Sequence, residues 1–286
     1  MSRVGETAGK SMSVEGEREL RRSYVEEGGE RPQRVRAAEV KNLVKIYGGR
    51  GFQTRVLKGL ELTIYRQDFA AIMGPSGSGK TTLLNILSTI DKPTQGTVML
   101  DGRDITHASN KELSKLRRDK IGFVFQDYSL LDTMSLEDNI ALPLSLGGVS
   151  GRECMERTRE LAETFGLKDH LKKYPYQLSG GQKQRGAACR ALITRPEIIF
   201  ADEPTGALDS KSGKELLDCL KMVNDSGRAT ILMVTHDPFC ASYAKDVYFL
   251  SDGMITCRVS RGTDRKEFYD RIIDVQISMG GDFSCQ

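Results

Sequence analysis

The sequence predicts an α/β fold built on a mainly parallel core sheet. Four compact apolar runs have the length of buried strands: "FAAIMG" (69–74), "IGFVFQ" (121–126), "EIIFADE" (197–203) and "TILMVTHD" (230–237). Strands buried on both faces are typical of parallel sheets, in which ligands bind beyond the carboxyl ends of the strands. Because each run ends on glycine or polar residues, we expect a ligand site at that edge. A mostly helical stretch, at about 130–195, lies between the second and third runs.

Length and composition are those of an ordinary globular protein. A chain of 286 residues can form one large domain or two small ones, and its net charge of +3 gives no reason to expect nucleic acid as a partner. Six cysteines without a C-x-x-C pair, and no secretory signal, favour a reduced cytosolic interior. The longest apolar runs are far shorter than the roughly 20 residues that cross a bilayer, so we expect no membrane span.

Both ends of the chain differ from its centre. Residues 1–37 are rich in Glu, Arg, Gly and Ser, which predicts a disordered or flexible tail; a partner-binding amphipathic helix in "EGERELRRSYVEE" (15–27) is the alternative. From Ala38, strand patterns follow in "EVKNLVKIY" (39–47), "LKGLELTIY" (57–65) and "GTVMLDG" (96–102). Near the C-terminus, Phe268, Ile272 and Ile273 have the spacing of a helix stripe. We expect that helix to dock on the chain's own core, with partner binding as the alternative.

The strongest chemical signal follows the first core strand. "GPSGSGKTT" fits the phosphate-loop pattern G-x-x-x-x-G-K-[ST] between a strand and a helix. Its glycines let backbone N–H groups surround phosphates, the helix start adds a positive dipole end, and Lys80 adds a cation. Thr81 can ligate Mg²⁺. The candidate phosphate-binding residues are Gly74, Pro75, Ser76, Gly77, Ser78, Gly79, Lys80, Thr81 and Thr82.

Polar residues at the ends of the other core strands complete a candidate catalytic centre. Asp202 and Glu203 are adjacent carboxylates, which would be costly unless the chain leaves the sheet at a cation site. We assign Asp202 to magnesium, through water, and Glu203 to the water that attacks the γ-phosphate. Gln126 can ligate magnesium or orient water. His236 lies at the same edge, although a histidine after a strand can also be structural.

A pair of adjacent glycines lies at the start of a second predicted helix, in "LSGGQKQR" (178–185). Ser179 is a good N-cap, Gly180 and Gly181 permit close backbone approach, and the helical run that follows makes this a second anion-binding helix start. The chain thus has two helix starts that can bind an anion but only one phosphate loop. Since the second start is far from Lys80 in the chain, it can complete the pocket of another copy, which predicts a head-to-tail dimer.

Taken in order, "GPSGSGKT", Gln126, "LSGGQ", "IIFADE", "ALD" (207–209) and His236 resemble the ATPase subunits of ABC transporters. The resemblance implies a P-loop NTPase with an antiparallel β-subdomain and a helical signature subdomain, and a homodimer holding two ATP molecules with Mg²⁺. It also implies domain bounds of 38–262, with the helical subdomain at about 127–195, and a C-terminal helix or tail at 263–286. The resemblance also implies that Tyr47 stacks on adenine (or is simply packed at its strand end), that Thr82 lies near the α-phosphate and that His236 contacts the γ-phosphate. Ser179 and Gly181 are implied to touch the γ-phosphate held by the other copy, with Gly180 and Gln182 in the same nucleotide-binding segment, and Asp209 to communicate between the two sites.

Within that family the chain is similar to the lipoprotein-release and macrolide-export branch. "GFVFQDYSLLDTMSLEDNIALPLSL" (122–146) and "FADEPTGALDSKSG" (201–214) look most like the ATPases of bacitracin-type peptide-antibiotic resistance transporters. That resemblance implies a peripheral position on the cytoplasmic face of the membrane and a separate permease with a large extracytoplasmic domain, often alongside a sensor kinase. Gly186 and Cys189 depart from the family pattern, and we expect them to soften helix packing.

Coupling to the permease is expected just after Gln126, with Leu130, Leu131 and Met134 as contacts; packing inside the helical subdomain is the alternative. An ATPase that drives a membrane regulator of cell-wall hydrolysis or a sensor carries the same motifs. A soluble ABC-type ATPase is disfavoured because the chain has one phosphate loop and no long coiled-coil insertion.

Overall fold

The structure is a computed structural model that describes residues 34–49 and 51–279. Of the predicted N-terminal tail, residues 1–37, only residues 34–37 are among those described. Residues 280–286 also lie outside the described residues. Strand β1 begins at Arg36, inside the range predicted as tail. Ala37 and Ala38 are both buried in an apolar cluster, which explains the earlier start of the strand.

Four strands form an antiparallel sheet in the order β2-β1-β4-β5. They are β1 (Arg36–Gly49), β2 (Phe52–Tyr65), β4 (Gln95–Leu100) and β5 (Arg103–Asp104). Paired positions such as Val40 and Leu62 are both buried, so one face of this sheet packs inward. Gly96 has φ +93°, and a Cβ there would lie 2.4 Å from the Asn42 carbonyl oxygen, so only glycine fits where β4 meets β1.

Six strands form the core sheet in the order β10-β9-β3-β8-β7-β6. They are β3 (Phe69–Met73), β6 (Ile121–Val124), β7 (Ile198–Asp202), β8 (Thr230–Val234), β9 (Asp246–Ser251) and β10 (Met254–Ser260). All adjacent pairs are parallel except β9 and β10, which form an antiparallel hairpin at the edge. The predicted α/β fold with a mainly parallel core sheet is confirmed.

Apolar clusters cover both faces of the core sheet, as the unbroken apolar strands predict. Within β3, Phe69, Ala71 and Met73 join one cluster, whereas Ala70 and Ile72 join the other. The second cluster also contains the inward face of the antiparallel sheet, and the first contains the helices between β6 and β7. The core sheet is therefore the middle layer, which fixes the position of its carboxyl edge.

Eight helices are present among the residues that the structure describes. They are α1 (Lys80–Leu87), α2 (Asn110–Lys120), α3 (Leu136–Leu146), α4 (Gly151–Thr164), α5 (Gly180–Leu192), α6 (Ser210–Asp225), α7 (Pro238–Ala241) and α8 (Arg265–Ser278), together with short 3-10 turns at Lys168–His170 and Pro175–Gln177. Helices α3, α4 and α5 occupy the stretch predicted to be helical. No described helix is long and apolar enough to cross a membrane.

Helix α8 packs against the chain's own core. Phe268 and Ile272 are almost fully buried in the same cluster as α3 to α5, while Ile273 is half-buried. The apolar stripe of α8 therefore packs on the core of its own chain, as predicted.

Candidate functional site

The carboxyl ends of four core strands bring the predicted chemistry to one edge. The phosphate loop follows β3, Gln126 follows β6, Asp202 ends β7 with Glu203 directly after it, and His236 follows β8. Because β3, β8, β7 and β6 are neighbours in the sheet, these segments emerge side by side. The parallel topology thus gathers groups that lie far apart in the chain.

Three glycines of the phosphate loop adopt positive φ angles, at Gly74, Gly77 and Gly79. A Cβ on Gly74 would lie 2.0 Å from the Leu250 carbonyl oxygen, so no larger residue fits where the loop passes β9. Gly79, in the left-handed region, is the N-cap of α1 and makes no side-chain cap. The loop therefore presents backbone N–H groups and the start of a helix, which is the arrangement that binds phosphate.

Lys80 supplies the positive charge of this loop. Its Nζ atom donates hydrogen bonds of 2.8 Å to the carbonyl oxygens of Gly74 and Pro75. Burial lowers the pKa of Lys80, and the carboxylates of Glu203 and Asp202 oppose that change. The ammonium group is thus held at the loop and faces both carboxylates of the site.

Asp202 is a partly buried carboxyl group at the end of β7. Burial raises the pKa of Asp202, the charge of Glu203 raises it further, and Lys80 and the Thr81 hydroxyl lower it. Its Oδ1 atom is buried and has no hydrogen-bond partner among the described residues. A buried acceptor next to a hydroxyl and an ammonium group fits a cation or an ordered water as its missing partner.

Glu203 does not continue the strand. Its φ of +44° is unusual for a residue with a side chain, and such backbone costs roughly 1 to 3 kcal/mol. The Glu203 N–H bonds to the Val234 carbonyl oxygen at 2.9 Å, and its own carbonyl accepts from Gly206 N–H at 3.0 Å. The turn carries the carboxylate away from Asp202 and towards the end of β8, where His236 Nδ1 lies 2.9 Å from Glu203 Oε1.

Gln126 is exposed and lies against the turn that follows Glu203. A Cβ on Gly206 would be 3.0 Å from Gln126 Nε2, so glycine leaves room for the amide. Two residues just beyond, Tyr128 and Ser129, also have positive φ angles. The segment therefore leaves β6 in an irregular conformation that other contacts must hold.

Tyr47 lies at the exposed end of β1 in a network that sequence reasoning missed. Its hydroxyl donates to Asp91 Oδ2 at 2.6 Å, and Lys45 Nζ donates to Asp91 Oδ1 at 2.7 Å. The Lys45 ammonium also lies 4.7 Å from the centre of the Tyr47 ring. Burial and the hydrogen bond to Asp91 raise the pKa of Tyr47. Asp91 is 44 residues from Tyr47 in the chain, so no local pattern indicated this contact.

The signature segment begins α5 as predicted. Ser179 is the N-cap and its hydroxyl accepts from Gln182 N–H, while the Gln182 side chain accepts from Ser179 N–H at 3.0 Å. A Cβ on Gly181 would lie 2.7 Å from Ser212, and one on Gly180 would lie 3.0 Å from the Tyr128 hydroxyl. The glycines thus let α5 approach its neighbours closely.

The remaining predicted residues lie around these groups. Asp209 is the N-cap of α6 and accepts from the backbone N–H groups of Lys211 and Ser212, and the bond from Ser212 lowers its pKa. Ser76 and Thr81 are exposed, whereas Ser78 is buried and its hydroxyl has no partner among the described residues. Groups of three His, Cys, Asp or Glu suited to a metal are absent from residues 34–49 and 51–279.

The groups gathered at this edge of the core sheet fit a nucleoside triphosphate with Mg²⁺. A glycine cradle with a lysine suits phosphate, and hydroxyl, amide and carboxylate oxygens are the ligands that Mg²⁺ prefers. Asp202 Oδ1 and Ser78 Oγ are buried polar atoms without a hydrogen-bond partner among the residues that the structure describes, so a bound ligand or ion can supply one.

Comparison with known proteins agrees with this site. A family model described as "ABC transporter" matches residues 57–206. The chain is 46% identical to the bacitracin export ATP-binding protein BceA of Halalkalibacterium halodurans, over 85% of this chain and 96% of that protein. It is 44% identical to the macrolide export ATP-binding/permease protein MacB of Aggregatibacter actinomycetemcomitans, over 76% of this chain and 34% of that one.

Solved structures match as well. A dimeric, post-hydrolysis structure of the ATP-binding cassette MJ0796 bound to ADP and Pi has a TM-score of 0.73 and 41% identity, and the match covers 79% of this chain and 99% of that one. Since the matched region contains the strands and loops that build the site, the chain belongs to the ABC transporter family, as an ATP-binding subunit with ATPase activity.

Proposed function

We propose that this chain powers a separate membrane permease in peptide-antibiotic export or resistance, with bacitracin-like peptides as the substrate class. The observation that carries this proposal is the match to a bacitracin export ATP-binding protein over nearly all of that protein's length. We further propose that the chain works at the cytoplasmic face of the membrane, with a permease that has a large extracytoplasmic domain and alongside a sensor kinase.

The phosphate loop, residues 74–82, holds the triphosphate. Backbone N–H groups and Lys80 neutralise the phosphate charge, and Thr82 lies beside the α-phosphate. Tyr47 offers an aromatic face to adenine; its position is supported by the hydrogen bond that fixes its hydroxyl to Asp91.

Thr81, Gln126 and Asp202 hold Mg²⁺, with Asp202 acting through water. When bound, the ion neutralises charge that develops on the phosphate oxygens. The buried, unpartnered Oδ1 atom of Asp202 supports this assignment. Because burial disfavours the Asp202 carboxylate, a bound cation removes a cost that the protein bears without it.

Glu203 accepts a proton from the attacking water, and His236 orients Glu203 and contacts the γ-phosphate. The 2.9 Å contact between the two side chains supports their acting together. An ionised carboxylate only accepts hydrogen bonds, so the hydrogen of this contact lies on His236 Nδ1 whenever Glu203 is ionised. Nε2 donates to the phosphate when the ring carries a hydrogen on both nitrogens, because the Nε2 of a neutral ring with its hydrogen on Nδ1 is an acceptor.

Two copies of the chain form a head-to-tail homodimer around two ATP molecules. Ser179, Gly180, Gly181 and Gln182 of one copy contact the nucleotide held by the phosphate loop of the other, and Asp209 links the two sites. Ser179 is exposed at this helix start, and the Ser179–Gln182 capping box leaves the backbone N–H groups of Gly180 and Gly181 as donors for an anion. The dimeric form of the matching solved structure supports this arrangement.

Permease contacts follow Gln126. Leu131 is 45% exposed, which supports its contacting a partner, whereas Leu130 and Met134 are half-buried. Leu130 packs on the apolar cluster of the helical region, so Leu131 is the strongest contact candidate of the three.

Affinity purification from detergent-solubilised membranes of the native host tests the proposal. We expect a stoichiometric permease with a large extracytoplasmic domain to co-purify, and deletion of the chain to raise sensitivity to bacitracin. A permease without any change in peptide sensitivity would instead favour a regulator of cell-wall hydrolysis. Recovery with ribosomal or DNA-repair proteins would overturn the transporter function.

A further inference from the structure

One buried amide joins the signature helix to the two loops that carry Gln126 and Glu203. Gln184, in the second turn of α5, is fully excluded from solvent. Its Nε2 atom donates to the Phe125 carbonyl oxygen at 2.9 Å and to the Pro204 carbonyl oxygen at 2.8 Å. Phe125 directly precedes Gln126, and Pro204 directly follows Glu203.

The nitrogen of this amide, and not its oxygen, makes the pair of contacts. Two carbonyl oxygens accept, so the group between them must supply two hydrogens, and a flipped amide would place three oxygens together. The Gln184 Oε1 atom is buried without a partner in the described structure. Because Gln184 bonds to the residue before Gln126 and to the residue after Glu203, the geometry favours a positioning role.

The two loops that Gln184 holds are both strained. Glu203 has a φ of +44°, and Tyr128 and Ser129 have φ angles of +65° and +47°. Strained backbone persists only where its surroundings hold it in place. Gln184 bonds to the carbonyl of Pro204, which follows Glu203, and to the carbonyl of Phe125, which lies three residues before Tyr128.

Helix α5 holds the segment after β6 at a second point. The Arg190 guanidinium donates to the carbonyl oxygens of Ser129, at 2.5 Å, and Tyr128, at 3.0 Å. Gln184 and Arg190 therefore fix residues 125–129 to the same helix from both ends. Because the signature segment forms the N-cap and first turn of α5, these contacts connect it to the backbone beside Gln126 and Glu203.

We propose that Gln184 is a positioning residue: it transmits the position of the signature helix to the attacking-water side of the site. This rests on the proposed roles of Gln126 and Glu203. Gln184 itself contacts neither nucleotide nor water in this scheme. Its loss should reduce turnover while leaving nucleotide affinity, which depends on the phosphate loop and Tyr47, unchanged.

Gln184→Met tests the proposal, since methionine has a similar length but no donor. In the full-length purified chain we expect kcat for ATP to fall at least tenfold, with KM and the calorimetric Kd for ATP changed less than twofold. Gln184→Glu adds a pH readout, because a protonated carboxyl group donates one hydrogen bond and an ionised one donates none. Its activity relative to wild type should rise as the pH falls.

Asn224→Leu is the matched control. Asn224 is also a buried amide whose Nδ2 atom donates to two carbonyl oxygens, those of Gln67 and Ala229, at 3.1 and 2.9 Å. Gln67 and Ala229 precede β3 and β8, so this amide lies at the amino ends of the core strands, opposite the candidate site. We expect Asn224→Leu to lower the Tm while kcat stays at the wild-type value.

The outcomes separate this inference from the proposed function. Wild-type kcat in both Gln184 variants, or an equal loss of kcat in Asn224→Leu, would overturn the positioning role. If Gln184→Met fails to fold, a flat relative pH profile of Gln184→Glu overturns it instead. Loss of ATP hydrolysis by wild type, or unchanged ATP affinity in Lys80→Ala, would contradict the proposed function itself.

Discussion

His236 Nδ1 lies 2.9 Å from Glu203 Oε1, so the loop after β8 and the turn after β7 meet through one hydrogen bond. The two residues follow neighbouring parallel strands, and the Glu203 N–H also bonds to the last residue of β8, Val234, at 2.9 Å. Backbone and side chain therefore fix the same carboxylate. This pair gives the first prediction.

Glu203→Gln keeps the size and polarity of the side chain but removes the base. We expect ATP to bind and to produce a long-lived dimer, while turnover falls about a hundredfold or more, the range for loss of a general base. Phosphate release and size-exclusion chromatography with ATP measure the two effects. Glu197→Gln, before the opposite end of β7, is the control and should hydrolyse ATP normally. Wild-type turnover in Glu203→Gln would refute the assigned role.

Lys80→Ala removes the ammonium group that bonds to the Gly74 and Pro75 carbonyls. A charged hydrogen bond is worth about 1.5 to 3 kcal/mol, so ATP affinity should fall roughly tenfold to a hundredfold. Isothermal titration calorimetry measures this, with Lys221→Ala on α6 as the control. Undiminished affinity would argue against the phosphate-loop assignment.

Asp91→Asn should weaken binding of the base rather than of the phosphates. The change loosens the Tyr47 ring, which Asp91 holds at 2.6 Å, and we expect ATP affinity to fall roughly twofold to tenfold. Affinity for inorganic triphosphate should not change. Asp225→Asn, an exposed carboxylate that pairs with Lys221, is the control. Equal losses for ATP and triphosphate would contradict this role of Asp91.

The absence of tryptophan from the sequence provides a direct readout of that stacking. Tyr47→Trp introduces a sole tryptophan, whose fluorescence should change on adding ATP but not on adding triphosphate. An identical response to both ligands would show that the ring does not meet adenine.

Gly186→Val should destabilise the fold. A Cβ at this position would lie 2.5 Å from Leu136 Cδ1, and Leu136 is fully buried. Overpacking of this kind costs typically 1 to 3 kcal/mol, measurable by urea unfolding. In a double-mutant cycle with Leu136→Ala, the cost of the valine should shrink, because the truncated side chain frees the space. An additive cycle would contradict the packing argument. Leu136 fills the space beside Gly186 that a larger residue would need, and the expectation that Gly186 softens helix packing stays a prediction.

Asp202→Asn should stabilise the nucleotide-free protein at high pH. Burial raises the folded-state pKa of Asp202 above the ordinary value of 3.8, so ionisation costs stability once the pH exceeds that value. The gain in Tm of Asp202→Asn over wild type should therefore be largest at pH 8 and vanish below about pH 3.8. Scanning fluorimetry across this range measures it. A gain that does not vary with pH would contradict the burial argument.

Local patterns were sufficient for the phosphate loop and the signature helix. In each, the glycines, the capping residue and the following helix lie within a few residues of one another, so the conformation depends on neighbours in the chain. The common edge of Gln126, Asp202, Glu203 and His236 was also predictable, since each ends a buried apolar strand. Parallel pairing then requires those ends to coincide.

The contacts of Lys45, Asp91 and Gln184 were not predictable in this way. Gln184 bonds to carbonyl groups of residues far from it in the chain, and no periodicity indicates which carbonyl oxygens a buried amide will meet. The space beside Gly186 depends in the same way on a leucine from another helix.

The sequence by itself determined the chemistry and the sheet edge at which it lies, because strand burial, glycine φ preferences and helix capping are properties of short segments. Only the tertiary structure decided that Glu203 turns through a positive φ to meet His236, that Asp91 fixes Tyr47, and that Gln184 joins α5 to two strained loops. Each of these depends on where separate segments pack against one another. Packing of that kind depends on the whole set of buried contacts. The sequence of one segment contains only a few of those contacts, so it does not predict how that segment packs against the others.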